Sequence, residues 1–215
     1  MKKINLEIMG GISSIYLGLA YIIGILFYTL ILNINPAHNK LETLINNQLE
    51  FHIITLIIYI FFGLFLIIFS LSLHQTLKKH YPNIINFTTI LGIFWAFIIM
   101  ISGLIQNVGA KKVIEIYQTN PELAISTWTT LQIIQDALGG GTEIIGGIWI
   151  LLISIVALKS KTFPKPLNYL GIIIGIAGIS SEVPMFSELG GMIFGLTQII
   201  WFIWLGIILI KEDKK

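Results

Sequence analysis

Among the acidic residues of the chain, two stand in unusually apolar surroundings. Asp136 and Glu143 are seven positions apart, two helical turns, so on one continuous helix they share a face with Gln132 and Gly140. Gln106 and Asn107 close an apolar run upstream, Glu182 and Glu188 flank Pro184, and Thr197-Gln198 interrupts the last apolar run. A carboxylate inside hydrocarbon costs roughly 2.5–3.5 kcal/mol on insertion scales, and such a group generally faces a cavity or a partner. Gln106, Asp136, Glu143, Glu188 and Gln198 are therefore the candidate lining of one polar pocket. The plainer alternative leaves Asp136 and Glu143 solvated at headgroup depth in a long loop.

Other chemistries find less support. Cys is absent, which removes disulfides, thiolate metal sites and Cys catalysis. Histidine occurs at positions 38, 52, 74 and 80. Imidazole and carboxylate together suit zinc, so His52 with Asp136 and Glu143 would serve a metal-dependent membrane hydrolase. Nothing in the spacing demands that: no His-x-x-x-His or His-Glu-x-x-His occurs, nor a Gly-x-Ser-x-Gly elbow or a phosphate-binding glycine loop. No catalytic residue, metal site, cofactor or nucleic-acid partner is assigned.

The elements that must position these groups are membrane spans. The chain is 55% hydrophobic and 11% charged, whereas a globular domain is about 25% charged. A span needs roughly 20 apolar residues, and apolar runs fall at about 8–32, 51–73, 84–108, 142–158, 167–183 and 191–210. In hydrocarbon only helices satisfy their own backbone at such hydropathy. The expected fold is therefore one all-α domain over 1–215, a bundle of six transmembrane helices. Ten of the thirteen lysines then lie on the side of both termini, leaving Lys40, Lys111 and Lys112 opposite. Positive residues concentrate inside, so both termini are expected in the cytoplasm.

The two longer connections lie on the outer side, and each carries a helix signal. Leu41, Leu44, Ile45 and Leu49 form an apolar stripe of helical period, which predicts an interfacial helix in the first loop. Asn120-Pro121-Glu122 is a helix start, predicting a second such helix over 121–138 that breaks at Gly139-Gly140-Gly141. Trp128 and Tyr117 suit an outer aromatic belt. Gly171 and Gly175, and likewise Gly191 and Gly195, are small residues four apart, the spacing at which spans pack closely.

The first span bears glycines, the second ends in the basic turn Leu73–Lys79, and a long outer loop follows the third. Ala157-Leu158-Lys159-Ser160-Lys161-Thr162-Phe163-Pro164-Lys165-Pro166-Leu167-Asn168-Tyr169-Leu170-Gly171 then leads into a Gly-rich helix. Over nearly its whole length this pattern resembles the domain of unknown function 4386 family, a group of bacterial six-span membrane proteins. Where that family often has Arg in the basic turns, this chain has Lys. The resemblance implies fold and a bacterial cytoplasmic-membrane location, and it carries over no catalytic residue.

The function expected on these grounds is non-enzymatic. A small ligand, lipid or ion would bind in an outward-facing pocket between spans three and six, with membrane lipids as partners. For the topology, single cysteines at Lys40 and Glu188 should react with an impermeant maleimide added from outside intact cells. Labelling only from the cytoplasmic side would reverse the orientation.

Overall fold

The computed structural model describes residues 5–30, 40–140 and 142–212, and every regular element among them is a helix. These are α1 (Leu6–Leu30), α2 (Lys40–Asn46), α3 (Gln48–Leu77), α4 (Pro82–Tyr117), α5 (Pro121–Gln135), α6 (Glu143–Ser160), α7 (Lys165–Ser180) and α8 (Ser187–Glu212). Prolines mark three starts, at the first or second position of α4, α5 and α7. There the missing N–H would have had no helical partner. Asn120 caps α5 as the sequence predicts, its side-chain oxygen accepting from the Leu123 N–H at 3.1 Å.

Five stretches are long and apolar enough to cross a membrane: Leu6–Phe27, Gln48–Leu77, Pro82–Tyr117, Pro121–Ser160 and Ser187–Lys211. The sixth apolar helix, α7, has 16 residues, or about 24 Å at 1.5 Å per residue. It stops at Ser180, short of the expected Val183, for a local reason. The hydroxyls of Ser180 and Ser181 donate to the carbonyls of Ala177 and Gly178, and Pro184 disfavours helix at the residue before it. Conversely, α4 does not end near Gln106-Asn107. It runs 36 residues to Tyr117, about 54 Å, because nothing in Gly109–Tyr117 breaks a helix.

The helices close into a ring in which α1 packs on α3, then α3 on α4, α4 on α6, α6 on α7, α7 on α8 and α8 back on α1. Inside it Phe69, Trp149, Trp201 and Phe202 are essentially buried. Their centroids lie 5.4–6.1 Å apart in edge-on pairs, the geometry in which one ring's positive edge meets another's negative face. Where hydrocarbon replaces water there is little hydrophobic drive between helices, so close packing must hold them. At the α6–α7 contact a Cβ on Gly175 would lie 2.8 Å from the Gly147 carbonyl oxygen, and one on Gly147 would lie 2.8 Å from that of Gly175. The Gly11–Gly206 pair repeats this reciprocity between α1 and α8.

A second, smaller core sits where the C-terminal part of α4 meets α5. Leu41 and Leu44 of α2 are buried there with Phe27, Phe51, Val113 and Trp128. The stripe of the first loop thus docks on protein, with Leu49 left 68% exposed. Trp128 is likewise buried, edge-on to Phe51 with centroids 6.1 Å apart, and not free for an aromatic belt. Leu41, Leu44 and Trp128 cover one another there together with Phe27, Phe51 and Val113. His38 lies outside the described residues.

Replacing Gly175 with Leu should lower the melting temperature in detergent by the equivalent of an overpacked core, about 1–3 kcal/mol. An unchanged transition would mean that the α6–α7 backbones need not touch.

Candidate ligand cavity

Among the described residues, two departures from regular helix shape the end of the bundle at which α6 begins. In α3 the turn Leu56–Phe61 is π-helical, as is Asp136–Gly140 after α5. Such a turn inserts an extra residue and loosens the backbone ladder, and such turns concentrate at functional sites. The Ile57 carbonyl at the first receives a hydrogen bond from the Tyr16 hydroxyl of α1 at 2.8 Å. The two turns are also tied to each other. Gln135, just before the second, donates through Nε2 to the Tyr59 hydroxyl of the first at 2.7 Å and to Gln106 Oε1 of α4 at 3.1 Å.

Past the second turn the chain restarts as α6 with Thr142 and Glu143, and these two residues border a cavity of about 140 Å³. Gly191, Gly195 and Gln198 of α8 supply the opposite wall, Tyr21 of α1 one flank, and Trp95 and Ile99 of α4 another. Gln198 is fully buried, and its side chain meets the Tyr21 hydroxyl, a contact that leaves at least one of its two carboxamide atoms without a hydrogen-bond partner. The Trp95 indole N–H is also buried and unpartnered. Tyr21 is within electrostatic reach of Glu143, which in turn feels Glu182. No lysine lines this space.

The expected helix-packing role fits Gly171 and Gly175 but not Gly191 and Gly195. At Gly171 a Cβ would collide with Ser154 and come within 2.7 Å of Trp201. At Gly191 and Gly195 it would meet no atom within 4 Å. Glycine spacing is the same in both helices, but a side chain at Gly191 or Gly195 would meet open space and no backbone.

Of the five residues picked out as pocket lining, Glu143 and Gln198 border this cavity. Gln106 is buried close by in the Gln135–Tyr59 network. Asp136 and Glu188 are exposed and do not border it. The π turn explains Asp136: each added residue rotates the following face by about 100°, so the two-turn register with Glu143 is lost. Tyr21, Trp95, Thr142 and Gln135 were not picked out by sequence. Tyr21 and Trp95 read as ordinary apolar-span aromatics, and only the ring closure turns them inward.

His52, Asp136 and Glu143 do not converge, and among the described residues no three His, Asp or Glu side chains are placed to hold a metal ion. His52 instead sits near Asn107, whose Nδ2 donates to the His52 carbonyl at 3.5 Å.

Helices long and apolar enough to cross a membrane five times, packed round an aromatic core, define a multi-pass α-helical membrane protein. The family described as Domain of unknown function (DUF4386) matches residues 9–211, and the chain belongs to it. No curated protein and no solved structure matches the chain.

A buried carboxamide without partners costs about 1–3 kcal/mol. Gln198→Leu should therefore raise the melting temperature of the unliganded protein, a stabilisation visible by differential scanning fluorimetry. A fall would mean that the carboxamide is satisfied in the folded protein.

Proposed function

We propose that this protein binds a small organic cation carrying N–H donors, a primary ammonium compound, in the cavity between Glu143 and Gln198. The observation that carries the reading is Gln198, a fully buried carboxamide at a cavity wall whose contact with Tyr21 leaves at least one of its polar atoms unpartnered. Buried polar groups are ordinarily satisfied, and an exception calls for a partner. An ammonium donates to the Glu143 carboxylate and to Gln198 Oε1 together. A second polar atom on the ligand would accept from Gln198 Nε2. Two carboxylates, Glu143 and Glu182, with no lysine at the wall favour a cation over an anion.

The frame for this reading is a six-span protein of the bacterial cytoplasmic membrane with both termini inside. Support comes from the ten-to-three lysine division and from the ring of six helices, α7 being the short member. In this frame Glu143, at the start of α6, and Gly191, near the start of α8, lie toward the outer face. The cavity then samples ligands from outside, with membrane lipids around the ring.

In phosphatidylcholine nanodiscs, ethylammonium should quench or shift the tryptophan fluorescence of the protein saturably. Glu143→Gln should weaken binding at least tenfold, the loss of about one strong charge-assisted contact. Gly195→Leu should abolish it by filling the space while leaving the melting temperature near wild type. Unaltered binding in both variants would remove the site.

A further inference from the structure

The Glu143 cavity has an apolar neighbour. A groove of about 210 Å³ lies between α1 and α3, and Tyr21 and Ile99 are walls of both spaces. Gly24 and Ile25 form its α1 side, with Ile58 and Phe62 facing them from α3. Its other polar side chain besides Tyr21, that of Tyr59, has its hydroxyl engaged by Gln135. The glycines mark these two spaces out from the rest of the molecule. Outside the Gly139–Gly141 triplet, a Cβ added to almost every described glycine would come within 2.8 Å of a neighbouring atom. The exceptions are three. Gly191 and Gly195 meet nothing within 4 Å, and Gly24 meets only Ile58 at 3.6 and 3.8 Å, ordinary van der Waals contact. All three border one or other of these adjoining cavities. Elsewhere glycine lets helices touch. Here it holds space open.

We propose that the two spaces form one site for a single-chain alkylammonium amphiphile, its ammonium at Glu143 and Gln198 and its alkyl chain in the groove between α1 and α3. The assignment rests on the reading of the Glu143 cavity given above and extends it to the ligand's apolar part. The change of lining along the shared wall argues for the amphiphile. Carboxylate and carboxamide lie on one side of Tyr21, and aliphatic side chains on the other. Size argues for a single chain. Together the spaces reach only the lower end of the roughly 300–1,000 Å³ typical of small-molecule sites. A phospholipid brings two tails, each spanning about half of a ~30 Å hydrocarbon core, and exceeds that.

The test compares ethylammonium with decylammonium on wild type and Gly24→Leu in phosphatidylcholine nanodiscs. Gly24→Leu should weaken decylammonium at least tenfold and leave ethylammonium unchanged. Decylammonium partitions equally into both sets of discs, so the wild-type-to-variant ratio cancels that contribution. Ile58→Phe, which fills the groove from the opposite helix, should reproduce the pattern and guards against a folding defect in the first variant. Ethylammonium binding with decylammonium indifferent to both substitutions would overturn the groove and leave the polar site standing. Failure of ethylammonium to bind wild type would instead remove the polar site, and this proposal with it. Displacement of decylammonium by phosphatidylethanolamine added to the discs would assign the groove to a two-chain lipid and overturn the single-chain assignment.

Discussion

A backbone surrounded by apolar side chains and lipid has no water to bond, so each N–H and C=O must find its partner within the fold. Everything else in this protein answers to that constraint. It makes every regular element among the described residues a helix, and it makes any slip in the helical ladder costly. The two slips present are both supported by side chains from other helices. Tyr16 bonds the Ile57 carbonyl at one, and Gln135, Tyr59 and Gln106 form a bridge between the two. Irregular backbone at such depth is tolerated where it is buried in protein or lines a cavity. Tyr59, in the first slip, lines the apolar groove, and α6 restarts beside the polar cavity just after the second.

The same constraint frees the side chains to decide how helices meet. Because lipid tails are as apolar as leucine, association depends on how closely surfaces fit. The Gly147–Gly175 and Gly11–Gly206 contacts bring backbones together at two seams of the ring, and the large aromatics fill the space that remains. Trp95 belongs to this aromatic core, 5.9 Å from Trp149, and is also a wall of the polar cavity. Core and cavity are thus continuous through Trp95.

Folding stability is given up at several buried polar groups, among them Ser70, Ser102 and Trp149 and two at the cavity wall. A fully buried Gln198 carboxamide that Tyr21 satisfies at most in part and a Trp95 indole N–H without a partner are unfavourable. Leucine and phenylalanine at these positions would pack without that cost.

Much of this was legible in the residues themselves. Hydropathy alone marks the apolar runs, because burying a backbone in lipid demands a long uncharged stretch whatever its neighbours are. The Asn120-Pro121 start is equally local, set by one cap and one ring, whereas α7 ends at Ser180, before the expected Val183. Glu143 and Gln198 stood out because a polar group in an apolar run carries its cost with it. What the residues could not determine by themselves is anything that depends on rotation and on partners. One π turn turns Asp136 away from Glu143, and no spacing rule for regular helices anticipates the inserted residue. Gly175 and Gly195 occupy identical local patterns, yet one touches a backbone and the other faces open space. Likewise Leu41 and Trp128 look made for a membrane surface until the extended α4 and α5 offer them a protein one. In each case the local sequence specifies a face, and only the closed ring of helices determines what that face meets.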